Sequence, residues 1–272
     1  MKQREEEAVG TGGPTPKVGR GRNTTADRTA DILLLFDAER PVLSAALVAS
    51  LLGMTRSTTY RYLQTLRVRG LVEADERHDG FRLGPRIHQL ARIARLGLGL
   101  PEVALPTMRE VRDATGELVL LTRRWGGTVV CVERVEGLDP IRLSDDDGRT
   151  NGAHAGASAK VLLAFAAADE IDVLLRGAPL TRYTAQTVTD PIVLRRQLPA
   201  IRERGHAVTE GEVDEGMRSV AAPVFGRGGR IAAALAVTAP AHRLDDATLP
   251  KVLSAVRDGA AAITERLRDL DP

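Results

Sequence analysis

One cysteine, one tryptophan and 3% aromatic residues leave this 272-residue chain little but aliphatic side chains for a core. With Cys131 alone no disulfide can form within the chain, which fits a reducing compartment, and its setting in V-V-C-V reads as that of a small buried hydrophobe. No apolar run reaches the roughly 18 residues that span a bilayer, and the N-terminus has no signal-peptide core. The expectation is a cytoplasmic protein with no membrane partner. The histidines, His78, His88, His154, His206 and His242, are scattered without ligand spacing, so neither a metal nor another cofactor is expected. Strict strand-helix alternation is missing too, which argues against a Rossmann domain.

What the chain does have is a punctuated helical pair near its N-terminus. After Ser44, residues Ala46, Leu47, Ala49, Leu51 and Leu52 are read as one apolar helix side, and Gly53 suits a left-handed helix end. Thr55 can cap a second helix in which Tyr60, Leu63, Leu66 and Val68 are read as the packing side. Thr55, Arg56, Ser57, Thr58, Arg61 and Gln64 are then left for solvent or a ligand. Hydroxyls and arginines at the start of a helix are the types that bond phosphates and base edges in the major groove. Gly70 can close this helix. Leu71 and Val72 begin a strand, residues 75–80 supply a turn, and Phe81 to Leu83 return as a second strand. This is a winged helix-turn-helix, and it implies double-stranded DNA as a partner. The candidate contacts are Ser44, Thr55, Arg56, Ser57, Thr58, Tyr60, Arg61 and Gln64, with Arg77, His78 and Arg82 on the wing.

Charge is distributed in the same sense. Residues 1–95 hold 16 Lys or Arg against 11 Asp or Glu, so the remainder is net acidic in a chain of overall charge +2. Residues 55–95 hold 9 against 4, and phosphate contact should weaken with salt. Residues 1–24 mix Glu5, Glu6 and Glu7 with Gly, Pro, Thr and basic residues, a composition that reads as a disordered tail. A plain tail is the favoured reading, the alternative being that Arg20 and Arg22 brush DNA as basic arms do.

Around the helical pair, an apolar run in 25–39 predicts a covering helix. After the wing, Ile87, Leu90, Ala91, Ile93 and Ala94 recur at helical spacing in a linker helix, whose apolar stripe suits a dimer seam or packing on the second domain. The expected domains are a winged helix-turn-helix at 25–84, the linker at 85–98 and a second domain at 99–272. In the latter, helices are predicted from Pro101 to Gly116, over 157–167, over 170–175, from Asp190-Pro191 to Gly205, and over 244–270. Strands are predicted at 117–124, 128–135, 140–144, 206–210, 220–225 and 231–238. Strands joined by short turns and covered by grouped helices describe an α+β fold with an antiparallel sheet.

Catalytic signals in this second domain are weak. G-A-S-A-K at 156–160 resembles a nucleophile elbow but lacks its closing glycine and its preceding strand. A hydrolase-like alternative would use His154 and Ser158, with no acid ordered to orient the histidine. A non-catalytic pocket fits better, because N-G-A-H-A-G-A-S-A-K places small residues at a loop-to-helix junction. Backbone N–H groups and the helix dipole there attract a carboxylate or other anion, although small residues also serve close packing.

These residues together resemble the IclR family of bacterial transcription regulators. The resemblance runs from about Thr25 to the C-terminus. It rests on L-G-M-T-R-S-T-T-Y-R-Y-L-Q-T-L-R-V-R-G-L-V and F-R-L-G-P-R, then H-A-G-A-S-A-K, R-Y-T-A-Q-T-V-T-D-P, I-R-E-R-G-H-A-V-T-E-G-E and G-M-R-S-V-A-A-P-V-F. It implies a GAF-like effector domain, assembly as a homodimer or homotetramer on a palindromic operator, and a response, as repressor or activator, to a small-molecule effector, chiefly a carboxylic acid. Carried over by position, effector contacts fall at Ala157, Ser158, Thr209, Ser219, Ala236 and Thr238. The chain departs from the family pattern at Ala159, where glycine is usual. Thr209 and Ala236 also stand where acidic and polar residues are found, so a less polar pocket is expected.

Overall fold

The computed structural model describes residues 25–37, 40–144, 151–177 and 179–269. The expected tail with Arg20 and Arg22, and Leu270 at the end of the final helix, lie outside the described residues. Two compact units divide between Ile87 and His88, and each closes its own core.

The first unit contains α1 (Thr25–Leu33), β1 (Val42–Leu43), α2 (Ala45–Leu52), α3 (Arg56–Val68), β2 (Val72–Asp75) and β3 (Gly80–Leu83). Its three strands pair antiparallel in the order β1-β3-β2. Ser44 Oγ accepts the Leu47 N–H at 3.1 Å to start α2, and Gly53 ends it at φ 60°. Helix α1 stops well short of residue 39. Five successive apolar residues, Ile32 to Phe36, cannot all share one helix side, so after Leu33 the chain turns to bury Leu35 and leaves Leu34 71% exposed.

Two readings of helix faces need correction. In α2 the buried residues are Val48, Ala49 and Leu52, whereas Ala46, Leu47 and Leu51 face outward. In α3, Leu63 and Leu66 pack inward with Thr59, but Tyr60 is 52% and Val68 83% exposed. The inward stripe follows the i, i+4, i+7 spacing of 59, 63 and 66, which leaves 60 and 68 off the line. Close approach also shapes this unit. A Cβ on Gly84 would stand 2.3 Å from the Gly70 carbonyl oxygen, where the Gly84 N–H bonds Leu71 O at 2.9 Å. Helix α4 (Pro85–Leu98) follows directly.

The second unit contains α5 (Leu100–Thr115), β4 (Leu118–Trp125), β5 (Thr128–Val135), β6 (Asn151–Gly152), α6 (Ala157–Ala164), α7 (Ala168–Gly177), α8 (Pro191–Arg204), β7 (Ala207–Glu210), β8 (Met217–Phe225), β9 (Ile231–Pro240) and α9 (Leu249–Asp269). The six strands form one antiparallel sheet in the order β6-β5-β4-β9-β8-β7. Side chains alternate between its faces. Val119, Leu121, Leu235 and Val237 meet α5 and α9 on one side, while Leu118, Leu120, Ala234 and Ala236 meet α6 and α8 on the other. The architecture is α+β, as the sequence implied.

Several boundaries differ from expectation, two of them with a local cause. Residues 140–144 form no strand; Pro140 has no N–H to give a ladder, and the free edge of β5 is taken instead by β6, pairing Thr128 with Gly152. The last helix begins at Leu249, not Leu244, because Asp245 Oδ1 accepts the N–H groups of Ala247 and Thr248 and holds a turn there.

Candidate functional site

On α3 the capping geometry and the exposed polar face share residues. Thr55 Oγ1 accepts the Thr58 N–H at 3.3 Å, donates to Thr58 Oγ1 at 2.9 Å and lies 3.3 Å from Ser57 Oγ. The hydroxyls thus hold one another at the helix start. Arg56 and Arg61 are exposed, Arg61 lying 6.0 Å from the Tyr62 ring centre, and Gln64 is half-buried. Tyr60 is outward and sets its ring edge-on to Phe81 at 6.1 Å. Ser44 spends its hydroxyl on the α2 cap.

The wing is less basic than its arginines suggested. Arg82 Nε bonds Glu73 at 2.7 Å, and the His78 ring meets Asp75 at 2.8 Å, holding the Asp75 carboxyl below the usual carboxylate range. Glu76 and Asp79 add two more carboxylates beside Arg77. The positive charge of this unit gathers instead on α3 and its exit, where Arg67 and Arg69 are exposed, two residues absent from the sequence-based set.

In the second unit a cavity of about 260 Å³ opens against the sheet. Its floor is Leu120 and Thr122 of β4 with Val129, Val130 and Cys131 of β5. One wall is the approach to α6 and its first turn, Ala155 to Ala159; another is Val213 and Asp214. Of the residues carried over by family position, Ala157, Ser158, Ser219 and Thr238 line this space, and the last two share a 2.8 Å hydrogen bond. Thr209 and Ala236 lie outside the lining. Thr209 is one strand further along the same rung, paired with Ser219, and Ala236 lies beneath the helical cover, opposite Leu120.

Thr122, Asn151 and Asp214 add polar groups to a lining that is otherwise mostly apolar. Cys131 is exposed, which corrects the expectation of a buried thiol. The cause is a bulge: Leu121 pairs with Glu133 but Thr122 with Cys131, so Val132 is the extra residue and Cys131 turns to the cavity face.

Behind the wall, Lys160 and Glu212 form a buried ion pair, and Glu212 Oε2 also accepts the Gly156 N–H at 3.1 Å. One donor at the start of α6 is therefore already filled by the protein. The N–H groups of Ala157, Ser158 and Ala159 have no acceptor within the helix by the geometry of helix ends. Thr187 Oγ1 donates to Glu212 O at 2.7 Å and fixes this loop against residues 183–187.

His154 does not line the cavity that Ser158 lines. Its ring stacks on Tyr183 and its Nε2 meets the Thr181 carbonyl at 2.8 Å, while burial pushes its pKa down. Among the described residues no three His, Cys, Asp or Glu side chains are gathered closely enough for a metal, and no helix is long and apolar enough to cross a membrane.

Comparison with known proteins gives the same two-part division. Residues 25–76 match the IclR helix-turn-helix domain and residues 96–265 match the bacterial transcriptional regulator IclR C-terminal domain. The transcriptional regulator BhcR of Paracoccus denitrificans is 34% identical over 238 residues, spanning 88% of this chain and 85% of BhcR. An IclR homologue from Microbacterium hydrocarbonoxydans, solved in complex with 4-hydroxybenzoate, superposes with a TM-score of 0.76 at 28% identity, covering 89% of this chain and 98% of that one. Thermotoga maritima IclR gives 0.68 at 25% identity, over 89% and 98% of the two chains.

Proposed function

This chain belongs to the IclR family of bacterial transcriptional regulators, and on that premise we propose that it binds a palindromic operator as a dimer or dimer of dimers, under control of a small organic acid. The observation that carries the proposal is the coexistence, in one chain, of an exposed polar recognition helix and a cavity lined by Ser158, Ser219 and Thr238.

Arg56 and Arg61, with Thr55, Ser57, Thr58 and Gln64, read the major groove, and Ser44, Tyr60, Arg77, His78 and Arg82 flank it. Two recognition helices reach successive major grooves when held about 34 Å apart. The seam holding them is the linker helix, whose Leu90 and Ile93 are 45% and 55% exposed. The effector carboxylate meets Ser158 and the first turn of α6, as the relative bound to 4-hydroxybenzoate encourages. Its binding shifts the population of the dimer between arrangements that do and do not span both half-sites.

Footprinting on the DNA upstream of the protein's own gene, with and without candidate acids, tests this reading. Protection of two half-sites that changes with an acid supports it. Ser158→Trp should abolish the change while leaving protection intact, and Arg56→Ala should weaken protection about tenfold or more. Full operator affinity and sequence preference in Arg56→Ala would remove that residue from the interface.

A further inference from the structure

Among the described residues that line the cavity, Asp214 is the carboxylate, and no cationic side chain of that lining faces it. It is half-buried, and its Oδ1 accepts the Ser144 N–H at 2.9 Å. Among the described residues no other donor bonds this carboxylate, and none lining the cavity is Lys, Arg or His. Lys160 is committed to Glu212.

The same cavity is bounded by the start of α6, which favours an anion. A plain monoacid seated there would bring its carboxylate into a confined space with Asp214, with no cation from the described lining between them. A ligand that also carries a donor removes this conflict, because it gives Asp214 a charge-assisted hydrogen bond. The hydroxyls of Thr122, Ser219 and Thr238 have protein partners but keep acceptor capacity for such a polar group, whereas an apolar acid would give the second oxygen of Asp214 no donor.

We infer that Asp214 is a specificity-determining residue of the effector cavity, selecting small organic acids that carry a second, hydrogen-bond-donating group, hydroxyl or ammonium, over acids that lack one. This rests on the proposed effector reading of the cavity. It concerns a residue on the loop between β7 and β8 that sequence position alone did not bring into the pocket.

Calorimetric titration of the full-length protein tests it with butyrate, γ-hydroxybutyrate and γ-aminobutyrate, and with benzoate and para-hydroxybenzoate. Wild-type protein should bind the donor-bearing member of at least one series about tenfold or more tightly than its plain partner. Preference for γ-aminobutyrate would identify an ammonium, and preference for the hydroxy acids a neutral donor. Asp214→Asn keeps an oxygen for the Ser144 N–H and should lose the discrimination while still binding the plain acid. Equal binding of plain and donor-bearing acids by wild-type protein overturns the inference alone, even if the variant fails to fold. Undiminished discrimination in a folded Asp214→Asn protein does the same. If none of the five acids binds, the effector reading falls and takes this inference with it.

Discussion

Arg77 and Arg82 stand on one hairpin yet are electrostatically different. Arg82 is held by Glu73 and lies 3.9 Å from Asp75, so a phosphate must compete with carboxylates already in place. Glu73→Gln should therefore raise duplex affinity and steepen its salt dependence by releasing Arg82, while Arg77→Ala should reduce the slope of log affinity against log salt by about 1. Binding isotherms over a salt series read both effects; if neither variant changes the slope, the wing does not reach the backbone. His154 gives a second handle. Burial holds its pKa in the folded chain below the ordinary value of about 6.5, so the unfolded chain takes up a proton first as pH falls. Stability from this residue is complete above about pH 6.5 and declines as pH falls toward the depressed folded value, by at most about 1.4 kcal/mol per pH unit. Urea midpoints across pH 5 to 7 should show that decline, and His154→Gln should flatten it. At this scale the sequence was legible where chemistry is local: the Thr55 cap and the left-handed Gly53 follow from residue type. Cys131 was not, since its direction depends on a bulge set by a neighbouring strand.

Elements whose ends carry their own signals were read nearly to the residue. Asp190 and Pro191 start α8 and Gly205 stops it at φ 71°, and the turn glycines 126 and 127 deliver β5 at the expected 128–135. Where an end is set by a distant partner the reading failed, as in the absent strand at 140–144 and the late start of α9. The face of an element was harder still, because a mixed apolar sequence such as that of α2 offers several stripes and only the partner chooses one. The same logic divides the glycines. A Cβ on Gly53 would meet nothing within 4 Å, but its φ is 60°, so Gly53→Ala should cost only about 1 kcal/mol of backbone strain. Gly84→Ala drives its methyl into the Gly70 carbonyl, which cannot rotate away, and should cost about 2 kcal/mol or more. Urea unfolding of the two variants side by side checks the order; equal midpoints would show that the junction between the wing and α4 relaxes freely.

At the scale of the whole chain, the cores do not share residues. Ile32, Leu43, Leu63 and Phe81 belong to the first, while both faces of the six-stranded sheet are covered by helices from residue 100 onward. A cavity whose described lining lies entirely within 120–238 needs nothing from the DNA-binding unit to form. A fragment of residues 99–272 should therefore fold by itself, melt in one cooperative transition, and be stabilised by the same acids as the full chain, because a ligand that binds the folded form raises its stability by mass action. It should show no affinity for duplex DNA, since α3 and its arginines are gone. The measurement is a thermal melt of the fragment and of the full chain, each with and without the acid. A fragment that melts without cooperativity would mean that the sheet domain borrows stability from the winged helix. A fragment that folds but loses the ligand shift would move the effector site out of the cavity and toward residues the fragment lacks.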